Sequence, residues 1–327
     1  MPEQYTVSQI SLADYADLWP KTRKNLSWKC PFVAPFWIQS VADHLAIIGE
    51  PMILTLARNG HIVGIAPLSF RNDCAYFLGI PDVCDYQDMI VAPGHEETVG
   101  QPLVDFLSRQ GIRRLDLRTL RPDAVAVRAL LSIEDEPQLN VQWMPDDVTF
   151  ETLLPLDWEG YLLQLKGKQR HEVRRKMRRL DAHGRYHFEL VEGLAGLDDA
   201  TSRFFNLFQR NRTDKAEFMD DTMSGFFRSL IGGLARHRML RLYFLYVEKQ
   251  PAATVLCFDY NDTRYLYNSG YDAGYRDLSV GILSKMFSIQ KGIESGCRTY
   301  DFLKGAEAYK KRIGGREVAL QRCLVKF

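Results

Sequence analysis

Two tandem α/β (α+β) lobes, each a mixed, mostly antiparallel sheet flanked by helices, are the fold class this sequence predicts. Three observations carry that expectation. The 327 residues exceed what one ordinary core organises, since single domains run about 100 to 200 residues. A hairpin pattern occurs twice, at an offset of about 190 residues. Each hairpin is followed by the same order of elements: a further strand, a helix, and a strand that returns by a right-handed crossover.

In the first half, Pro51 to Phe70 reads as MILTLA, then Asn59-Gly60, then IVGIAPLSF. Asn-Gly between apolar runs signals a type I′ hairpin, because both residues accept positive φ. Leu240 to Tyr260 repeats the plan as LRLYFLYV, a turn around Lys249 to Pro251, and AATVLCFDY. Next come a strand-like run (Tyr86 to Val91, matched by Thr263 to Tyr271), a glycine-bearing loop (Gly100, Gly281) and a helical pattern. The returning strand is RLDL at Arg114 to Leu117 in one copy and TYDFL at Thr299 to Leu303 in the other, which aligns Asp116 with Asp301. The segment Pro122 to Asp147, rich in Pro and Asp, reads as the connection. We therefore expect domains at 1–147 and 148–327, the second opening with a strand (Thr149 to Leu154) and a helix capped by Asp157.

Composition narrows the class. With 46% hydrophobic and 25% charged residues the chain is globular, and no apolar run approaches the roughly 18 residues of a membrane span. The first residues lack the basic-then-apolar pattern of a secretory leader, so the expectation is a soluble, cytoplasmic protein. Cys30, Cys74, Cys84, Cys257, Cys297 and Cys323 form no CxxC pair and read as free thiols, with no metal site. His187-Phe188-Glu189 lacks the downstream Cys pair that a zinc deaminase requires. A net charge of +1 means that affinity for a polyanion must come from local clustering.

The most informative segment is Tyr275-Arg276-Asp277-Leu278-Ser279-Val280-Gly281, leading into ILSKMFSIQKGIESG. Apolar residues at 282, 283, 286, 287 and 293 follow helical spacing, Ser279 is placed to cap and Gly296 to stop the helix. A helix start after a strand presents unpaired N–H groups and positive dipole, a site for a diphosphate. Amides around Val280 to Leu283, Ile282 included, would grip it, Gly281 would permit close approach, and Arg276 would add a cationic fork. In the first copy His95-Glu96-Glu97 occupies the matching loop, and carboxylates there repel a phosphate. The first lobe is therefore expected not to bind a donor.

This segment resembles the acyl-CoA signature of the GNAT superfamily, [RQ]-x-x-G-x-[GA], with Arg276, Ser279 and Gly281 in the specified places and Ser279 replacing the first glycine. Residues Leu266 to Gly315, above all Asp301-Phe-Leu-Lys-Gly305 with Glu307, Tyr309 and Lys310, are also similar to the acetyltransferase family linked to CelD-type cellulose-biosynthesis proteins, itself similar to the FemABX peptidyl transferases. The resemblance implies two GNAT-like lobes. It also implies an acyl-CoA co-substrate (acetyl-CoA or another) and direct transfer to an amine or hydroxyl of a small molecule, amino sugar or polysaccharide precursor.

Acyl transfer needs a deprotonated nucleophile, donors for the oxyanion and an acid for the thiolate. The candidates are Asp301 and Glu307 to orient or deprotonate the acceptor, Lys304 to stabilise negative charge, and Tyr309 or Tyr271 to donate a proton. Each carboxylate has an alternative reading, as ion-pair partner of Arg264, Arg298 or Lys310. Lys166 to Arg179, KGKQRHEVRRKMRR, holds eight Lys or Arg against one Glu, with Val173, Met177 and Leu180 as a narrow apolar stripe. That cationic face, Lys168 and Arg174 included, reads either as solvated or as a contact for an anion. The anion would be a CoA phosphate, tRNA, a nucleotide-linked sugar or an acidic membrane; the resemblance implies that this helix borders the acceptor cleft. Two further functions stay open: amino-acid transfer from aminoacyl-tRNA in the FemABX manner, and an inactive scaffold of a polysaccharide-synthesis machine.

Overall fold

A computed structural model describes residues 5–211 and 219–327. The chain divides into two compact units, Met1–Val148 with Val318–Phe327, and Thr149–Glu317. The sequence reading ran the second lobe to Phe327; the last ten residues instead belong with the first unit.

The first unit contains strands β1 (Tyr5–Ile10), β2 (Glu50–Arg58), β3 (His61–Arg71), β4 (Cys74–Phe77), β5 (Ile90–Val91) and β6 (Arg114–Leu120). Its helices are α1 (Leu12–Thr22), α2 (Pro35–His44), α3 (Gly100–Arg109) and α4 (Val125–Leu131). The chain's final strand, β13 (Arg316–Lys326), pairs antiparallel with β6. The Asn59-Gly60 turn has φ of 51° and 78°, the left-handed pair a type I′ hairpin requires. Of the expected strand Tyr86–Val91 only Ile90–Val91 forms, on β3. The reason is Asp88, buried, whose carboxylate accepts from the amides of Met89 (2.8 Å), Val125 (3.0 Å) and Ala126 (2.8 Å). It caps α4, which has no cap of its own, and so draws its segment out of the ladder; burial pushes its pKa up to about 6. The strand that runs parallel to β6 is β4 instead, and the connection expected after Pro122 contains α4 and the start of β7 (Asn140–Leu153).

The second unit repeats this plan. Beyond the end of β7 it holds α5 (Trp158–Gln164), α6 (Gly167–His183), β8 (Tyr186–Val191), α7 (Leu197–Asn211) and α8 (Asp221–Arg236). Then follow β9 (Leu240–Val247), β10 (Gln250–Tyr260), β11 (Thr263–Tyr271), α9 (Val280–Glu294), β12 (Thr299–Lys304) and α10 (Ala308–Arg312). Strand order is β1-β2-β3-β4-β6-β13 in one unit and β8-β9-β10-β11-β12-β7 in the other, so the two match strand for strand except that β13 follows its partners in the chain and β7 precedes them. In both, the strand after the crossover helix bulges at a non-glycine residue of positive φ, Thr119 (52°) and Leu303 (61°). The β9–β10 turn is Glu248-Lys249, one residue earlier than the sequence suggested, with φ of 49° and 72°.

Helix α6 has the expected amphipathy: Val173 and Leu180 are buried and its cations face outward. Asp157 caps α5 by accepting from Gly160 N–H at 2.7 Å. The core of the second unit encloses Arg264, fully buried, which meets Asp259 through Nε (2.7 Å) and Nη2 (2.8 Å) and donates to the Tyr243 hydroxyl at 2.8 Å. A bidentate partner is what makes an enclosed guanidinium tolerable. All six cysteines are free thiols, five buried and Cys297 partly so. Among the described residues no helix is long and apolar enough to cross a membrane.

Candidate active site

Strands β11 and β12 lie parallel, but their ladder holds only Thr263, Arg264 and Tyr265 against Thr299, Tyr300 and Asp301. Beyond it β11 continues along β10 to Tyr271, while β12 continues along β7 to Lys304. The two strands part where the sequence places its functional residues. Tyr271 leads through a short 3-10 turn (Ala273–Leu278) into α9, and Lys304 leads into Glu307 and α10.

At the head of α9, Ser279 adopts a left-handed backbone, φ 57° and ψ 31°, and its side chain makes no capping bond, contrary to the expected cap. That is the position where the signature carries glycine, which meets no Cβ penalty there; serine does, at roughly 1 kcal/mol. The N–H groups of Ile282 and Leu283 donate to the Ser279 carbonyl at 3.0 Å, and Ser279 N–H donates to Arg276 C=O at 2.9 Å. Among the described residues this leaves the amides of Val280 and Gly281, not the whole run to Leu283, without a backbone acceptor. Arg276 is exposed beside them. Gly281 serves a purpose other than the one expected: a Cβ on it would lie 2.7 Å from the Tyr271 ring, so Tyr271 packs over the first turn of α9. In the first unit a Cβ on Gly100 would lie 2.1 Å from the Ala129 carbonyl oxygen, so α4 backbone occupies the matching space.

The run after β12 is organised by a residue the sequence treated only as a possible ion-pair partner. Lys310, 2% exposed, directs its ammonium to the carbonyls of Leu303 (2.9 Å), Lys304 (2.6 Å) and Gly305 (3.0 Å) and to Glu307 at 2.9 Å. Glu307 is thus an exposed ion-pair partner of Lys310, and Lys304 is partly buried with its carbonyl in the same cluster. Asp301, 2% exposed, accepts through Oδ1 from Leu303 N–H at 2.8 Å, which holds the bulge, and from the Thr149 hydroxyl at 3.5 Å. An asparagine retains that acceptor and an alanine does not. We expect Asp301→Asn to keep turnover within about threefold, and Asp301→Ala to lower stability by about 1–3 kcal/mol in urea titration. A collapse of turnover in the asparagine variant with unchanged stability would instead make Asp301 the base.

Tyr309 lines a cavity of about 770 Å³ together with Ile282 of α9, Arg312 of α10, and Lys168, Val173 and Lys176 of α6. Burial, and then the charge of Glu307, raise the phenol's pKa above its ordinary value. Lys285, missed in the sequence because it interrupts an apolar helical run, spans the site: Nζ donates to Gly281 C=O at 2.9 Å and stands 5.1 Å from the Tyr309 ring centroid. Arg179 of α6 donates to the Asp277 carbonyl at 2.8 Å and so ties the basic helix to the loop before α9. Arg174 is not at this cavity; it pairs with Glu159 at 2.5 Å on the other side of α6, in a cleft with α5. The structure therefore brings Lys168, Ile282 and Tyr309 together, sets Arg276, Ser279, Val280, Gly281 and Tyr271 at the helix start, and leaves Arg174 apart.

Comparison with known proteins places this geometry in context. None of the curated proteins matches the chain in sequence. Among solved structures, FemX superposes over 97% of this chain and 96% of its own with a TM-score of 0.66 at 11% identity. A conserved protein of unknown function from Bacteroides thetaiotaomicron gives 0.61 at 12% identity, over 99% of this chain and all (100%) of its own. The C-terminal domain of a putative lysylphosphatidylglycerol synthetase from Agrobacterium fabrum gives 0.58 at 11% identity, over 96% and 92%. At such identities the likeness is one of fold. Residues 167–311, which hold α6, the parting strands, the head of α9 and Tyr309, match the family described as Acetyltransferase (GNAT) domain, and the fold is of the GNAT type.

Proposed function

We propose that the second unit transfers an acyl group from acyl-CoA, acetyl-CoA in the simplest case, directly to an amine or hydroxyl. The observation that carries this reading is the parting of β11 from β12 directly before a helix start whose first amides lack backbone acceptors, inside the segment that matches a GNAT domain. The donor's diphosphate lies against Val280 and Gly281 N–H with Arg276 beside it. Its extended arm follows the gap between the strands. In the cavity the acceptor's nitrogen or oxygen attacks the thioester carbon, the C–S bond breaks, and the thiolate takes the Tyr309 proton. The acceptor's own proton passes to Glu307, whose charge is felt at Tyr309. Lys168 at the cavity wall suits an acceptor bearing negative charge, and the resemblance of Leu266 to Gly315 to CelD-type acetyltransferases supports an amino sugar or polysaccharide precursor.

Calorimetric titration with coenzyme A tests the donor site. The expected result is saturable binding that Arg276→Ala weakens about tenfold, the loss of one charge-assisted hydrogen bond. Absence of binding to the intact protein overturns the reading. A second reading, transfer from aminoacyl-tRNA, is favoured by the cationic helix and by the likeness to FemX, and titration with charged tRNA separates the two. No heat with either donor supports the scaffold instead.

A further inference from the structure

Helix α6 presents cations on two faces, Lys168 and Lys176 two turns apart with Glu172 between them, and Arg170, Arg174 and Arg178 at i, i+4 spacing. Lys168 and Lys176 line the cavity with Tyr309, whereas Arg170, Arg174 and Arg178 line the cleft with α5, next to Trp158. The second stripe has no part in the acyl-transfer reading. It adjoins an apolar surface. Leu156 is 100% exposed, Leu163 66% and Leu153 65%, the three most exposed large apolar side chains among the described residues, ahead of Leu194 at 60%. Leu163 shares the exposed face of α5 with Glu159, one helical turn away, and Glu159 is the partner of Arg174. Arg170 reaches the Leu163 carbonyl at 3.5 Å. Leucines and arginines therefore border one another on the α5–α6 hairpin. Between Asp157 and His183 eight Lys or Arg stand against four Asp or Glu, although the whole chain carries only +1.

We propose that the α5–α6 hairpin docks on an anionic lipid surface, with Leu156 and Leu163 entering the headgroup layer and Arg170, Arg174 and Arg178 meeting lipid phosphates. Exposed leucines gain free energy on entering an apolar medium, and each basic residue near an anionic leaflet adds about 1 kcal/mol. A nucleic acid accounts for the arginines but offers those leucines nothing, since single-strand recognition relies on aromatic platforms and duplex recognition on polar contacts. The inference is independent of the acyl donor.

The test is co-sedimentation of the full chain with vesicles of phosphatidylcholine carrying phosphatidylglycerol, against vesicles of phosphatidylcholine alone. Binding is expected to the anionic vesicles only, and to fall as salt rises. Leu156→Ser with Leu163→Ser should weaken it about tenfold with little change in melting temperature, because both side chains are largely in water. Arg170→Gln with Arg178→Gln should weaken it by a similar or larger factor, about fivefold per charge. Failure to bind anionic vesicles overturns the proposal. So does binding that the leucine pair leaves unchanged, and so does tRNA binding lost with the arginines in a protein that ignores vesicles.

Discussion

Replacing Tyr309 by phenylalanine is expected to lower kcat about 100-fold or more while coenzyme A affinity stays within about twofold, the signature of a lost proton donor. The phenol stands at the cavity that joins α6 to the first turn of α9, and its ring is steadied by the Lys285 ammonium. Removing the hydroxyl leaves that packing in place. A thiolate leaving group needs its proton at the moment the C–S bond breaks, so the donor must be protonated at working pH. Burial and the Glu307 charge favour the neutral phenol, which raises its pKa. The sign follows: the proton is present throughout the neutral and mildly alkaline range, and this group adds no alkaline fall in rate below pH about 10. A stopped assay of turnover against pH, paired with calorimetry on Tyr309→Phe, reads both effects. Equal losses in turnover and coenzyme A affinity would make Tyr309 a wall of the site and not its acid.

The sequence showed the fold in good part because its strongest signals are local. Asn59-Gly60 needs two left-handed residues and obtains them; the apolar spacing after Val280 and the stop at Gly296 give α9 its length. What escaped it is tertiary. No local pattern announces that Asp88 leaves a strand-like run to cap α4 from a distance, or that β13 serves the first unit. In the site, the helix start was legible from Arg276 to Gly281, yet the use of Gly281 was not, since only the structure places the Tyr271 ring over it. Asp301 looked catalytic because a carboxylate at a strand end is chemically able. The bond it accepts from the Leu303 amide depends on a bulge that no periodicity reports.

Lys310 is the other position where a single change is expected to matter most, this time through stability. Its ammonium is enclosed and supplies three carbonyls in succession, Leu303, Lys304 and Gly305, within a run where Leu303 (φ 61°) and Gly305 (φ 108°) both have left-handed backbones. Leu303 and Lys304 keep their places beside Phe150 and Thr149 of β7, but the parallel ladder with β11 ends at Asp301, and the lysine supplies donors to the carbonyls beyond that end. Lys310→Met fills the same volume but strands the acceptors, and unfolding free energy is expected to fall by about 3–5 kcal/mol, read as a lower urea midpoint at unchanged slope. Glu307→Gln separates the two kinds of contact. Glu307 is 58% exposed, so the solvent-screened ion pair contributes less than about 1 kcal/mol. If the methionine and glutamine variants lose comparable stability, the ion pair is the stabilising contact and the carbonyl cluster is incidental. A large gap between them shows instead that the backbone of 303–305 is held from below. Tyr309 is the neighbour of that lysine in α10, so loss of the contacts that tie α10 to 303–305 also disturbs the cavity, and Lys310→Met should reduce turnover even at temperatures where the protein remains folded.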